Sequence, residues 1–151
     1  MKQGNGQKRS SDGDSVRMQR LFARDFAALE GIFAFVTEFG AASRIGADRS
    51  FEVQLMVEEI FTNMVKYNKD GSVDIDIELR RDGDRLQICL IDADVEPFDI
   101  TKLPEVDTVR HLAEEKVGGL GLHLVKKIAD DISYEYVGRL SKVTITKRVG
   151  S

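Results

Sequence analysis

The segment from Ser72 to Asp94, SVDIDIELRRDGDRLQICLIDAD, constrains the fold more than any other part of the chain. Val73, Ile75, Ile77 and Leu79 alternate with Asp74, Asp76, Glu78 and Arg80. Beyond RDGD, Leu86, Ile88 and Leu90 alternate with Gln87, Cys89 and Ile91. Two runs of period two around an Asp-Gly turn specify an antiparallel hairpin. The acids of the first run put one face of its strand in water, so the sheet is covered on one side only.

The rest of the chain supplies the cover. Val16 to Phe22 reads as a first strand. In DFAALEGIFAFVTEFG, Phe26, Leu29, Ile32, Phe33, Val36 and Phe39 recur at helical spacing and read as a core stripe, with Gly40 as the C-terminal cap. ADRSFEVQLMVEEIFTNMVKYN is a second helix, capped by Asp48 or Ser50 and stopped by KDG. Val53, Val57, Ile60 and Met64 form its apolar stripe; Leu55, Glu59, Asn63 and Tyr67 form the stripe beside it.

VEPFDITKLPEVDTVRHLAEEK holds both prolines and reads as a long charged loop, with a short helix near Val106 to Ala113. VGGLGLHLVKKIADD is a glycine turn feeding an amphipathic helix, and ISYEYVG and KVTITKRV are closing strands. The order is β, α, α, β, β, loop, α, β, β. It predicts an α+β fold: a two-layer sandwich of a mixed, mainly antiparallel sheet with helices on one face.

The 151 residues suit one domain, with residues 1–15 as a polar, disordered leader and residues 16–151 as the domain. A net charge of −4 argues against a broad nucleic-acid-binding surface. No apolar run is seen to reach the roughly 18 residues that span a bilayer, and the leader has no signal-peptide core. The single cysteine, Cys89, rules out an internal disulfide, fits a reducing cytoplasm and reads as an inert strand residue.

Three features carry chemical information. Glu59 and Asn63 are one helical turn apart, on one face, whereas Glu58 points about 100° away. A half-buried Glu59 can act as a general base on a hydroxyl, and the Asn63 carbonyl oxygen suits a hard cation such as Mg²⁺. Asp92 ends the second strand of the hairpin, where the buried strand leaves the sheet; there it can accept from an exocyclic amine or cap the following loop as a turn acid. Gly118, Gly119 and Gly121 precede or open a helix, which fits a phosphate site and a plain tight turn equally well. The spacing is neither the dinucleotide fingerprint nor the Walker pattern. His111 and His123 lack co-ligands for a metal site, and Lys116 reads as solvated.

The order of these features resembles the histidine-kinase-like (GHKL) ATPase superfamily over about Val16 to Arg148. VEEIFTNMVKYN looks like its N-box, DADVEPFD like its first glycine box, and GGLGLHLVKKIADDISYE like its second. Within the superfamily the chain looks most like bacterial anti-sigma factor serine/threonine kinases.

The resemblance implies ATP and Mg²⁺ as cofactors. It implies Glu59 as the base on a partner's serine, Asn63 as the Mg²⁺ ligand, Asp92 as the reader of the adenine amine, and Gly118, Gly119 and Gly121 as phosphate-binding glycines. Pro97, Phe98 and Asp99 match a PFD that follows the first box. The expected partners are an anti-anti-sigma (STAS-type) protein, a sigma factor and a second copy of the chain, in the cytoplasm, with no nucleic acid and no membrane.

The chain departs from the pattern at Asp94, where a glycine is usual, and at Tyr67, where a histidine is common. Thr144 aligns loosely with a residue that reaches the adenine through water. Asp94 motivates an alternative, a non-catalytic partner-binding module with weak nucleotide binding. A third reading, a phosphate-binding domain of a larger ATPase machine, is disfavoured by the small length.

Overall fold

The computed structural model describes residues 7–9, 15–68, 71–99, 101 and 120–149; for residues 7–9 and 120–122 it describes the backbone alone. The strands are β1 (Gln7–Arg9), β2 (Ser15–Phe22), β3 (Ile75–Asp82), β4 (Arg85–Ala93), β5 (Asp131–Val137) and β6 (Leu140–Arg148). The α-helices are α1 (Leu29–Ser43), α2 (Gly46–Tyr67) and α3 (Leu120–Ile128), and a 3₁₀ turn, Phe26–Ala28, leads into α1. The chain has the α+β architecture expected of it.

The sheet runs β1-β2-β3-β4-β6-β5. All of its described pairings are antiparallel, so the expected parallel component is absent from the described residues. Tight hairpins join β3 to β4 and β5 to β6, and the helical excursion from β2 to β3 returns antiparallel. Gln7–Arg9, inside the segment read as a disordered leader, forms an edge strand on β2.

Alternation sets the two faces. Val16, Met18, Ile75, Ile77, Leu79, Leu86, Ile88, Leu90, Val143 and Ile145 are buried beneath the helices. On the opposite face Arg17 pairs with Glu78, and Gln19 Nε2 donates to Asp76 Oδ2 at 2.6 Å. Such pairs contribute little individually, but they leave that face wettable. Cys89 is a buried free thiol on this face, 3.7 Å from Thr144 Oγ1.

Helix α1 buries Ile32, Phe35, Val36 and Phe39. The expected stripe is thus rotated: Phe26 and Phe33 are exposed, and Phe35, unassigned by the sequence reading, is fully buried. Phe35 is i+3 from Ile32 and i−4 from Phe39, the better match to a 3.6-residue period. Arg20, on the helical side of β2, lies over the Phe35 ring at 4.8 Å and pairs with Glu38.

Gly40 is not the cap. The helix continues to Ser43 and ends on Arg44, at φ 58°, whose N–H donates to Gly40 O. Gly40 instead lets α1 approach α2: a Cβ there would lie 2.5 Å from Ser50 Oγ and 3.1 Å from Ser50 Cβ. Arg81 Nη1 donates to Ser43 O at 2.7 Å, placing a cation at the negative end of α1.

Residues Phe26–Ser43 reach a mean hydropathy of 1.3 over 18 residues, so one segment does qualify by length and composition as a membrane span. Its most apolar side, however, packs into the domain core with β2 and α2.

Helix α2 starts at Gly46, two residues before the expected Asp48 cap; Asp48 sits in its first turn, and no side chain caps its N-terminus. Val53, Val57, Ile60 and Met64 are all buried, as the stripe predicts. The short helix expected near Val106 to Ala113, together with His111 and Lys116, lies outside the described residues.

Candidate functional site

The site grows from the second stripe of α2. Asn63 is 1% exposed, and its Nδ2 donates to Glu59 Oε2 at 2.9 Å, which turns the amide oxygen away from Glu59. Glu59 is half-buried. Glu58 turns off this axis and accepts from Gln54 Nε2. Helix geometry gives the two adjacent acids different partners, but Glu58, expected to point into solvent, is half-buried as Glu59 is.

Beside Glu59 lies a cavity of about 240 Å³ lined by Leu29, Leu55, Glu58, Glu59, Thr62, Leu124 and Val125. It joins the start of α1, the middle of α2 and the face of α3. A carboxylate at the rim of such a pocket can receive a proton from a hydroxyl brought to it.

The last turn of α2 carries the second half of the site. Asp92 follows Leu86, Ile88 and Leu90 on the inner face of β4 and is fully buried. Asn68, the C-terminal cap of α2, donates through Nδ2 to Asp92 Oδ2 at 2.7 Å. Arg24 Nη2 donates to Asp92 Oδ1, completing an ion pair in which Arg24 is only 12% exposed. Asp92 therefore turns back toward α2 and the end of β2 rather than capping the loop that follows it.

Neither Arg24 nor Asn68 stood out in the sequence. Arg24 lies in a short connection after β2, 68 residues before its carboxylate, where no local periodicity marks it. Asn68 closes the second helix as its pattern is read, and nothing local assigns it a role.

The segment after β4 is tied to the hairpin of β5 and β6. Asp94 has φ 59°, in the left-handed region, which accounts for the glycine expected there. Its Oδ1 accepts from Arg139 Nε at 2.8 Å, and Glu96 Oε2 accepts from Arg139 Nη1 at 3.0 Å. The hydrogen bond to Asp94, and after it the one to Glu96, holds the Arg139 guanidinium above its usual range. The Asp94 carboxylate is thus engaged at the hairpin tip.

Val95 N donates to Arg139 O at 3.1 Å, Tyr136 Oη donates to Val95 O at 2.7 Å, and Phe98 N donates to Tyr134 Oη at 3.1 Å. Tyr67, in place of the common histidine, stacks on Phe98 with centroids 5.2 Å apart and planes 26° apart. Asp99 Oδ1 accepts from Thr101 N at 2.9 Å. The Pro97-Phe98-Asp99 segment thereby closes against the end of α2.

Thr144 lies on the other face of the sheet from Asp92, so it does not join this site. Ser141, paired with Asp92 across β4 and β6 and 1% exposed, is the residue of β6 on the inner face there. A shift of three residues along a strand reverses the side. Gly118 and Gly119 lie outside the described residues; Gly121 lies within the first turn of α3. His123 is half-buried on α3. Among the described residues no cluster of three or more His, Cys, Asp or Glu side chains is placed to hold a metal ion.

The donor set fits Mg²⁺ and nucleotide in part. A single amide oxygen at Asn63 suits an ion that keeps water and phosphate oxygens as its remaining ligands. Asp92 suits an amine donor, but its surface is covered by Arg24 and Asn68.

A search of curated proteins finds no match. The family model described as the histidine kinase-like ATPase domain matches residues 22–147, a span that contains α1 through β5 and nearly all of β6. With an antiparallel sheet under helices, Glu59 and Asn63 on α2 and Asp92 at the end of β4, the chain belongs to the histidine kinase-like ATPase domain family.

Proposed function

We propose that the protein is an ATP- and Mg²⁺-dependent serine kinase of the anti-sigma type, acting on an anti-anti-sigma protein in a partner-switching pathway in the cytoplasm. The observation that carries this reading is the layout of α2. It sets Glu59 against a cavity, bonds Asn63 to Glu59 one turn on and, through Asn68, reaches Asp92. Nine helical steps lead from Glu59 to Asn68, about 13 Å along the axis, a length that suits an extended nucleoside triphosphate.

Bound Mg·ATP would supply the phosphoryl group and the charge neutralisation that its transfer needs. Asn63 would hold the cation through its amide oxygen. Asp92 would accept from the adenine amine, Gly118, Gly119 and Gly121 would offer backbone N–H groups to phosphate, and Glu59 would take the proton of the acceptor serine. The Asn63 hydrogen bond orients Glu59 for that role.

A phosphorylation assay with an anti-anti-sigma acceptor and labelled ATP tests the proposal. Transfer in the wild type and its loss in Glu59→Ala is the expected result; undiminished transfer in Glu59→Ala removes the base from Glu59. A second copy of this chain and a sigma factor are the further partners the reading proposes.

The engagement of Asp92 by Arg24 and Asn68 favours a second reading, a partner-binding module that takes nucleotide weakly or structurally. Calorimetric titration with Mg·ATP separates the two: micromolar affinity supports the kinase, and millimolar or absent binding supports the module.

A further inference from the structure

Asp92 offers about four lone-pair positions, and its two internal donors leave capacity for another. Capacity is not what limits it: the side chain is fully buried. A new donor can reach this carboxylate only if one of the present partners moves.

Of the two, Asn68 is a buried helix cap, and its backbone O also accepts from Gly71 N at 3.0 Å. Arg24 extends from the connection after β2 and is held at two ends. Its Nη2 makes a charge-assisted bond to Asp92 Oδ1. Its Nη1 lies 3.4 Å from both Met64 O and Asn68 O, carbonyls of the last turn of α2, where helical partners run out. Loss of the first contact still leaves the guanidinium an anchor at the helix end.

The chain makes room for this guanidinium with a glycine. A Cβ on Gly71 would lie 2.5 Å from Arg24 Nη2 and 2.8 Å from Arg24 Nε. Gly71 has no left-handed backbone to explain it, so alanine is conformationally allowed there; the constraint is the guanidinium itself.

We infer that Arg24 is an internal latch on the nucleotide site: its guanidinium competes with the exocyclic amine of an adenine for Asp92 and must swing aside for the base to bind. The inference rests on the Mg·ATP reading given above. Its consequence is quantitative. Apparent affinity is the intrinsic affinity multiplied down by the fraction of molecules with the latch open, so the kinase and weak-binding readings differ by the position of one equilibrium. A partner that engages Arg24, or the end of α2 that anchors it, would raise nucleotide affinity without touching the nucleotide.

The test is calorimetric titration of the full chain with Mg·ATP in three forms: wild type, Arg24→Gln and Gly71→Ala. Arg24→Gln removes the competing cation. Gly71→Ala retains it and displaces it with a methyl group. Both variants are expected to bind at least about tenfold more tightly than wild type, the gain available when a minor open state becomes the major one. Thermal melts accompany the titrations; if Arg24→Gln unfolds below the assay temperature, Gly71→Ala decides alone. Wild-type binding that neither substitution tightens overturns the latch and leaves the nucleotide reading intact. Absence of binding in every folded form overturns both.

Discussion

Asn63 Nδ2 donates to Glu59 Oε2 across one turn of α2, at 2.9 Å, with the asparagine buried and the glutamate half-exposed. The pair gives the glutamate one orientation. Glu59→Gln preserves the shape and removes the base. Phosphoryl transfer is expected to fall by about a hundredfold or more, the usual scale for a general base, with the melting temperature nearly unchanged. Radiolabel transfer and a thermal melt on the same preparation check this.

Asp92 and Arg24 form a buried ion pair, so removing one partner strands the other. Asp92→Ala is expected to cost about 3 kcal/mol of stability, the range for breaking a buried pair on one side. Urea unfolding measures it. The double variant Arg24→Met with Asp92→Ala is expected to recover part of the loss, because no uncompensated charge remains.

Asp94 holds a left-handed backbone at φ 59°. Asp94→Gly removes that strain and also removes the exposed pair with Arg139, which counts for little in water. A gain of up to about 1 kcal/mol is expected in the urea midpoint. Nucleotide affinity in the same variant shows whether the carboxylate at the hairpin tip acts on the site; its engagement by Arg139 predicts a small change.

Phe33 and Phe35 test the phase of α1. Phe35 is fully buried against Phe22, with ring centroids 5.5 Å apart, whereas Phe33 is 59% exposed. Phe35→Ala is expected to cost about 3–5 kcal/mol. Phe33→Ala is expected to change stability by no more than about 0.5 kcal/mol. Equal losses would mean that the helix is rotated from the orientation described.

The local code of this chain was legible wherever one period governed several residues. Alternation from Val73 to Ile91 named the hairpin and, Val73 apart, its buried face. Helical spacing separated Glu59 from Glu58 and marked Val53, Val57, Ile60 and Met64 as core. These depend on backbone geometry that each segment carries with it, so the sequence by itself determined them. The stripe of α1, rich in phenylalanine, was read one way from spacing, with Phe33 inward; packing against β2 and α2 buries Phe35 instead.

Tertiary structure alone decided the contacts between segments. Gly40 reads as a cap until Ser50 stands opposite it, and Thr144 reads as a site residue until strand register puts Ser141 on the inner face. Arg24 has no pattern of its own; it becomes a site residue only because β2, the end of α2 and the end of β4 meet at one point. Such meetings depend on register and packing across tens of residues, and a single sequence records them only as unremarkable residues far apart.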